Sequence, residues 1–164
     1  MLRWGVKHEE SPFLDELRAA FPPEAIVAAG AFEQRGGTYP DGDEYARQMD
    51  GKTWEQLDQQ YLARRSDALS FLGTCHLIAI LPAYLNLLFV LGPRSPVPET
   101  LLPMLTKPEA TEPKLGKRFD ELTDGLSASQ RTVVAAALAR FVAKYPAYGA
   151  PAQVALDRHW NTFL

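Results

Sequence analysis

Residues 71–91 read FLGTCHLIAILPAYLNLLFVL, twenty-one positions without a charged side chain. About twenty apolar residues suffice to cross a bilayer, so this stretch decides between a membrane span and the centre of a globule. Thr74, His76 and Asn86 interrupt it, and Pro82 stands near its middle. The longest run free of strongly polar side chains is the nine residues 77–85. Arg64 and Arg65 precede the stretch and Arg94 follows it, so flanking charge selects no orientation. An all-round apolar helix is also what a globule needs at its centre when amphipathic neighbours cover every side. The reading is a buried central helix, kinked at Pro82 because proline removes one backbone bond.

The neighbouring segments have the required amphipathic pattern. Upstream, Ser11-Pro12 reads as a helix N-cap and first residue, with Phe13, Leu14, Leu17 and Phe21 at helical spacing and Pro22-Pro23 as the stop. Residues 24–31 fit a short helix or an extended segment, and Tyr39-Pro40-Asp41-Gly42 is turn chemistry. A short helix is expected over 43–49. Thr53 and Gln56 have capping-box spacing ahead of a helix with Trp54, Leu57, Tyr61 and Leu62 inward. Downstream, Ser127 and Gln130 form a second such box before a long helix through Val133, Val134, Leu138 and Phe141 to Tyr145. A last helix from Pro151 presents Ala152, Leu156, Trp160 and Phe163 on one face. Six of the 13 prolines fall within residues 93–113, so residues 92–116 are expected to form a Pro-rich loop over the core. No segment alternates apolar and polar residues at period two. The expectation is therefore an all-α, single-domain bundle of about six helices spanning residues 1–164.

Composition narrows the function classes. The 164 residues hold 17 Lys+Arg, 20 Asp+Glu and one Cys. A single cysteine excludes an intramolecular disulfide framework and a Cys-only zinc site. A net charge of −3 argues against sequence-independent nucleic-acid binding, which needs a surplus of cations over phosphate. The charge is unevenly placed: residues 9–67 carry 13 acids and 6 bases, net −7, and the remainder carries 7 acids and 11 bases, net +4. The N-terminal residues carry Arg3, Lys7, Glu9 and Glu10 where a signal peptide would have its apolar core. A soluble, cytoplasmic protein is expected, with no membrane association.

The search for reaction chemistry returns no constellation. His8-Glu9-Glu10 is not the HExxH helix that sets two imidazoles on one zinc. Asp41, Asp43 and Glu44 suggest a calcium loop, but the sixth position holds Ala46 where a glycine is required. Gly36-Gly37 lacks the Lys-Ser/Thr of a phosphate loop, and no nucleophile elbow occurs. Neighbouring side chains on a helix point about 100° apart, so Cys75 and His76 are expected not to touch. Cys75 reads as a small buried residue, and His76 as a polar core group bonding a carbonyl or carboxylate. No cofactor or metal is expected.

Several short motifs resemble a family of small, uncharacterised bacterial proteins. They are Trp54-x-x-Leu57, the run from Ala68 to Leu72, and Leu81-Pro82-Ala83-Tyr84-Leu85. Arg118-Phe119-x-x-Leu122, Gln130-x-x-Val133-Val134 and Ala155-Leu156-x-x-x-Trp160 follow. The likeness spans most of residues 12–160. It implies a helical fold and a bacterial source and carries over no site, because its motifs are core-like. Ile80 departs from the aromatic residue expected there.

Two functional readings follow. The first is a non-catalytic protein-binding domain, such as a bacterial immunity protein that neutralises a cognate toxin by occlusion. Its acids Asp41, Asp43 and Glu44 would face a basic partner, with Tyr39 and Tyr45 as aromatic anchors and Trp54 in the core. The alternative is a small-ligand binder or enzyme with a pocket at the Pro82 kink, lined by His76, Tyr84 and Asn86.

Overall fold

A computed structural model describes residues 12–33 and 39–164 of the chain. Ser11, His8 and the Gly36-Gly37 pair, which figure in the sequence reading, lie outside the described residues. Eight α-helices occur among the described residues, with no strand: α1 Pro12–Ala20, α2 Gly42–Met49, α3 Gln59–Arg64, α4 Thr74–Val90, α5 Val97–Met104, α6 Pro113–Gly125, α7 Ala128–Lys144 and α8 Ala150–Arg158. Short 3-10 turns occupy Trp54–Gln56, Ser66–Ser70, Pro146–Tyr148 and Trp160–Phe163. The all-helical class is as expected. No helix of the described residues is long and apolar enough to cross a membrane.

The apolar stretch supplies α4, which starts three residues later than the apolar run does, at Thr74, and continues through Pro82. Leu77, Ile80, Leu81, Leu85 and Leu88 are all buried, facing several directions around the helix. Helices α3, α5, α6 and α7 all pack on it, and so does the turn holding Trp54. Burial of so many large apolar side chains, each worth about 1.5–3 kcal/mol, makes α4 the hub of one contiguous core.

Two expectations need correction. The first concerns residues 92–116, which are helical over two segments instead of forming a loop. Helix α5 follows Pro96 with Pro98 in its first turn, and α6 begins on Pro113 itself. A proline in the first turn loses nothing, because that N–H has no helical acceptor. Val97, Leu101, Leu102 and Leu105 then bury one face of α5, and the Thr106 hydroxyl donates to the Leu102 carbonyl at 2.7 Å to close the end. Pro96, Pro98 and Pro113 thus mark helix starts, while Pro103 lies within the last turn of α5.

The second concerns the helix expected after Thr53. The Thr53 N–H does donate to the Gln56 side chain at 2.9 Å. The turn nevertheless stops at Leu57, whose backbone is extended (ψ 141°). The Asp58 carboxylate then accepts from the Tyr61 N–H at 3.0 Å and starts α3 afresh. A competing cap so close behind the first divides one expected helix into two elements. The box at Ser127 has no such competitor: its hydroxyl accepts from the Gln130 N–H at 3.2 Å and α7 runs on for 17 residues.

Residues 24–28 are not helical, and 29–31 form a turn closed by the Ala31 N–H on the Ala28 carbonyl at 3.1 Å. The Ile26 N–H donates to the Lys52 carbonyl at 2.9 Å, and the Gly51 N–H donates back to the Ile26 carbonyl at 2.8 Å. Gly51 stands at φ +72°, a conformation its missing Cβ permits. The Asp50 carboxylate adds an acceptor for the Ala28 N–H at 3.0 Å. The Gly73 N–H donates to the Ala31 carbonyl at 2.9 Å and ties the segment to the start of α4.

Candidate functional site

The acidic segment is largely occupied with its own fold. Asp41 pairs with Arg65 at 2.8 Å, Glu55 pairs with Arg18, Asp58 caps α3, and Asp50 holds Ala28. Asp67 accepts from the Tyr39 hydroxyl at 3.2 Å. Asp43 and Glu44 are exposed on the first turn of α2, where the helix dipole favours acids. The aromatic residues among them are interior. Tyr39 is stacked on Phe32 and packed beside Phe71, and its hydroxyl is pushed up to about 12 by burial and by neighbouring Asp67. Tyr45 is fully buried, and its hydroxyl meets that of Tyr84 at 2.8 Å. Tyr84 in turn donates to the Leu62 carbonyl at 3.0 Å, which makes Tyr45 the donor to Tyr84. Burial raises both of these tyrosines well above the ordinary value of 10. Trp54 is likewise interior, donating to the Phe21 carbonyl at 2.8 Å.

His76, Tyr84 and Asn86 do not share a cavity. Tyr84 is sealed in the core, Asn86 lies in a small crevice beside Arg18 and Gln59, and His76 lies at the opposite end of α4. His76 does bond a carbonyl, as expected: its Nε2–H donates to Val27 at 2.9 Å.

Two concavities carry more. The first lies between α5 and α6, which both pack on α4 and leave a cleft of about 400 Å³ between them. Phe119 and Leu122 form its floor, with Met104 and Leu115 on the walls. Asp67 and Glu99 place carboxylates at its rim, alongside the hydroxyls of Ser70 and Thr100. Arg118 lines it too, with its terminal nitrogens donating to the carbonyls of Leu69 and Ser70, the latter at 2.7 Å. Leu115 is half-exposed at 53%, an apolar side chain without a full complement of neighbours. Sequence reasoning passed over this cleft because residues 92–116 read as loop. Leu115, an apolar residue on the otherwise polar opening turns of α6, was the one available signal.

The second concavity, of about 390 Å³, opens at the first turn of α4. Phe21, Ile26, Trp54 and Ile78 line it, with Val27, 74% exposed, at its mouth. Cys75 and His76 share this cleft, and here the structure overturns two expectations. Cys75 is exposed. Its Sγ also lies 3.5 Å from His76 Nδ1, so the adjacent side chains do touch. The 100° rule describes Cβ directions, whereas Nδ1 is the ring nitrogen closest to the backbone and can swing sideways. At the first turn no preceding turn obstructs that swing.

The Val27 carbonyl only accepts, so Nε2 carries the imidazole proton and Nδ1 is left as an acceptor for the Cys75 thiol. Gly73 caps α4 without a side-chain acceptor for the first N–H groups. A thiol and a base of fixed tautomer therefore meet on the first turn of α4, in a recess of mainly apolar side chains that Glu24 and Gln130 also line. Among the described residues no cluster of three His, Cys, Asp or Glu side chains is placed to hold a metal ion.

Comparison with known proteins adds no relative: no family model, curated protein or solved structure matches the chain.

Proposed function

We propose that the chain is a protein-binding domain whose partner is basic and inserts an apolar side chain between α5 and α6. The observation that carries this reading is the cleft itself, with Phe119, Leu122 and Leu115 inside and the Asp67 and Glu99 carboxylates outside. An apolar recess with an acidic rim complements an apolar anchor on a cationic surface. Asp67 joins this rim to the acidic segment, because it also receives the Tyr39 hydroxyl. Asp43 and Glu44 extend the same sign of charge toward solvent on α2. Buried Tyr39 and Tyr45 serve as the scaffold behind that face, in place of the anchoring role first assigned to them.

The narrower form of the proposal is an immunity protein that occludes a toxin's basic surface, supported by the charge asymmetry alone. The test is co-purification with the product of the gene beside its own, followed by titration. Leu115→Glu, and separately the pair Asp67→Lys and Glu99→Lys, should each weaken the complex at least tenfold. A complex indifferent to all three substitutions removes the cleft from the interface. Reversal of Asp43 and Glu44 to lysine probes the α2 extension by the same measurement.

A further inference from the structure

We propose that Cys75 is a nucleophilic thiol that takes up an apolar acyl group in the cleft at the start of α4, with His76 as its base. The site is separate from the α5–α6 cleft and does not depend on the binding proposal.

Three observations converge on it. Sγ and Nδ1 are 3.5 Å apart, and the Nε2–H bond to Val27 at 2.9 Å leaves Nδ1 free to accept a proton. The same carbonyl then stabilises the imidazolium that forms, the part a third group plays behind any Cys–His pair. The second observation is the helix end. The thiol sits on the second residue of α4, a 17-residue helix whose opening N–H groups have no capping side chain. Those donors and the helix dipole favour the negative charge that develops on an acyl oxygen nearby. The third is the recess, whose walls at Phe21, Ile26, Val27 and Ile78 are hydrocarbon. Val27 is 74% exposed, which costs burial energy and is recovered if an acyl chain covers it.

The step balances as follows. The Cys75 proton passes to His76 Nδ1, and sulfur attacks the carbonyl carbon of an activated acyl donor, a thioester or ester. An S–C bond forms, the bond from that carbon to the leaving group breaks, and the leaving group departs with the proton from Nδ1. The product is an S-acyl cysteine whose chain lies along the apolar wall.

The experiment uses p-nitrophenyl hexanoate as acyl donor and the full chain at pH 7. Wild-type protein should release nitrophenolate and gain one hexanoyl mass on Cys75, and Cys75→Ser should do neither. His76→Gln retains a donor for the Val27 carbonyl but cannot take the proton, so acylation should slow at least tenfold. An unassisted thiol is only a few per cent ionised at this pH, which leaves room for a change of that size. Val27→Glu keeps the backbone carbonyl in place and lies on the surface, so folding is not at issue. It should slow hexanoylation at least tenfold more than it slows acetylation by p-nitrophenyl acetate, whose short chain does not reach the wall while its reaction at Cys75 feels the same new charge. That split separates the acyl-binding wall from thiol activation. No hexanoyl adduct on Cys75 in folded wild-type protein overturns the proposal, as do equal rates in wild type and His76→Gln.

Discussion

The two clefts are nearly equal in volume, about 400 and 390 Å³, and both are walled by hydrocarbon. They differ in the few polar groups that converge on each. Between α5 and α6 these are the Asp67 and Glu99 carboxylates, the Ser70 and Thr100 hydroxyls and Arg118, whose guanidinium is engaged by the Leu69 and Ser70 carbonyls. At the start of α4 they are a thiol and an imidazole whose tautomer is fixed by a backbone carbonyl, with Glu24 and Gln130 on the lining beside them. Size and apolarity are shared, so what each cleft can do rests on two or three side chains apiece. The scaffolds differ as well. Helices α5 and α6 are held apart over α4, whereas the thiol cleft is formed by extended chain laid against a helix end.

The largest expected effect tests the scaffold of the first cleft. Trp160 is fully buried and its indole N–H donates to the Leu105 carbonyl at 2.6 Å, fastening the end of α5. Trp160→Ala should cost about 3–5 kcal/mol in chemical denaturation, by cavity formation and a lost bond. A loss below 1 kcal/mol would mean that α5 is held by its own apolar face alone.

Away from both clefts, the Tyr45–Tyr84–Leu62 hydrogen-bond chain lies in the core. Tyr84→Phe strands the Tyr45 donor in the core and removes one of two donors from the Leu62 carbonyl, which keeps the Arg65 N–H at 3.2 Å, and about 1–3 kcal/mol should be lost. If urea denaturation shows no change, the tyrosine chain contributes nothing net.

A pH series separates the clefts further. His159 packs edge-on against Phe119, which floors the α5–α6 cleft, and its Nε2 is buried without a partner. Burial first, then Lys107 and Arg131, hold its pKa below the ordinary 6.5, against a smaller opposite pull from Asp120. The folded state thus prefers neutral imidazole. Stability is full above pH 6.5 and declines as pH falls below it, because the unfolded chain protonates first. His159→Phe should flatten that decline between pH 7.5 and 5.5, and an unchanged slope would assign it to other groups.

The smallest effects on stability come from the two cleft walls themselves. Leu115→Glu and Val27→Glu alter exposed positions and should each move the denaturation midpoint by less than about 0.5 kcal/mol. Each should impair only its own cleft, partner binding for the first and hexanoylation for the second. A variant that disables both would show that the clefts communicate.

What could be read from sequence divides along physical lines. The apolar stretch ahead of Leu91 and the Ser127 box are local patterns, and both became the expected helices. Helix α5 is hidden because dense proline is a loop signal in sequence, although a proline in a first turn leaves no acceptor unsatisfied. The partners of Asp41, Asp50 and Glu55 lie 22–37 residues away in sequence, so no local rule shows that these acids are already engaged. The Cys75–His76 contact depends on one imidazole rotamer at a helix end, which spacing arguments treat as interchangeable with mid-helix positions. His76 itself was legible as a carbonyl-bonding side chain; the identity of that carbonyl, 49 residues upstream, was not.

The Trp160 bond to Leu105 joins residues 55 apart in sequence, and Arg140 reaches Glu16 across 124. On a ribosome adding about 5–20 residues each second, α5 leaves the exit several seconds before the indole that fastens it. Through that interval its apolar face, Val97, Leu101 and Leu105, is without the α8 side of its seat. The wall of the α5–α6 cleft is therefore among the last features of the molecule to become permanent during synthesis, while the turn at Gly73 and the thiol beside it are complete much earlier.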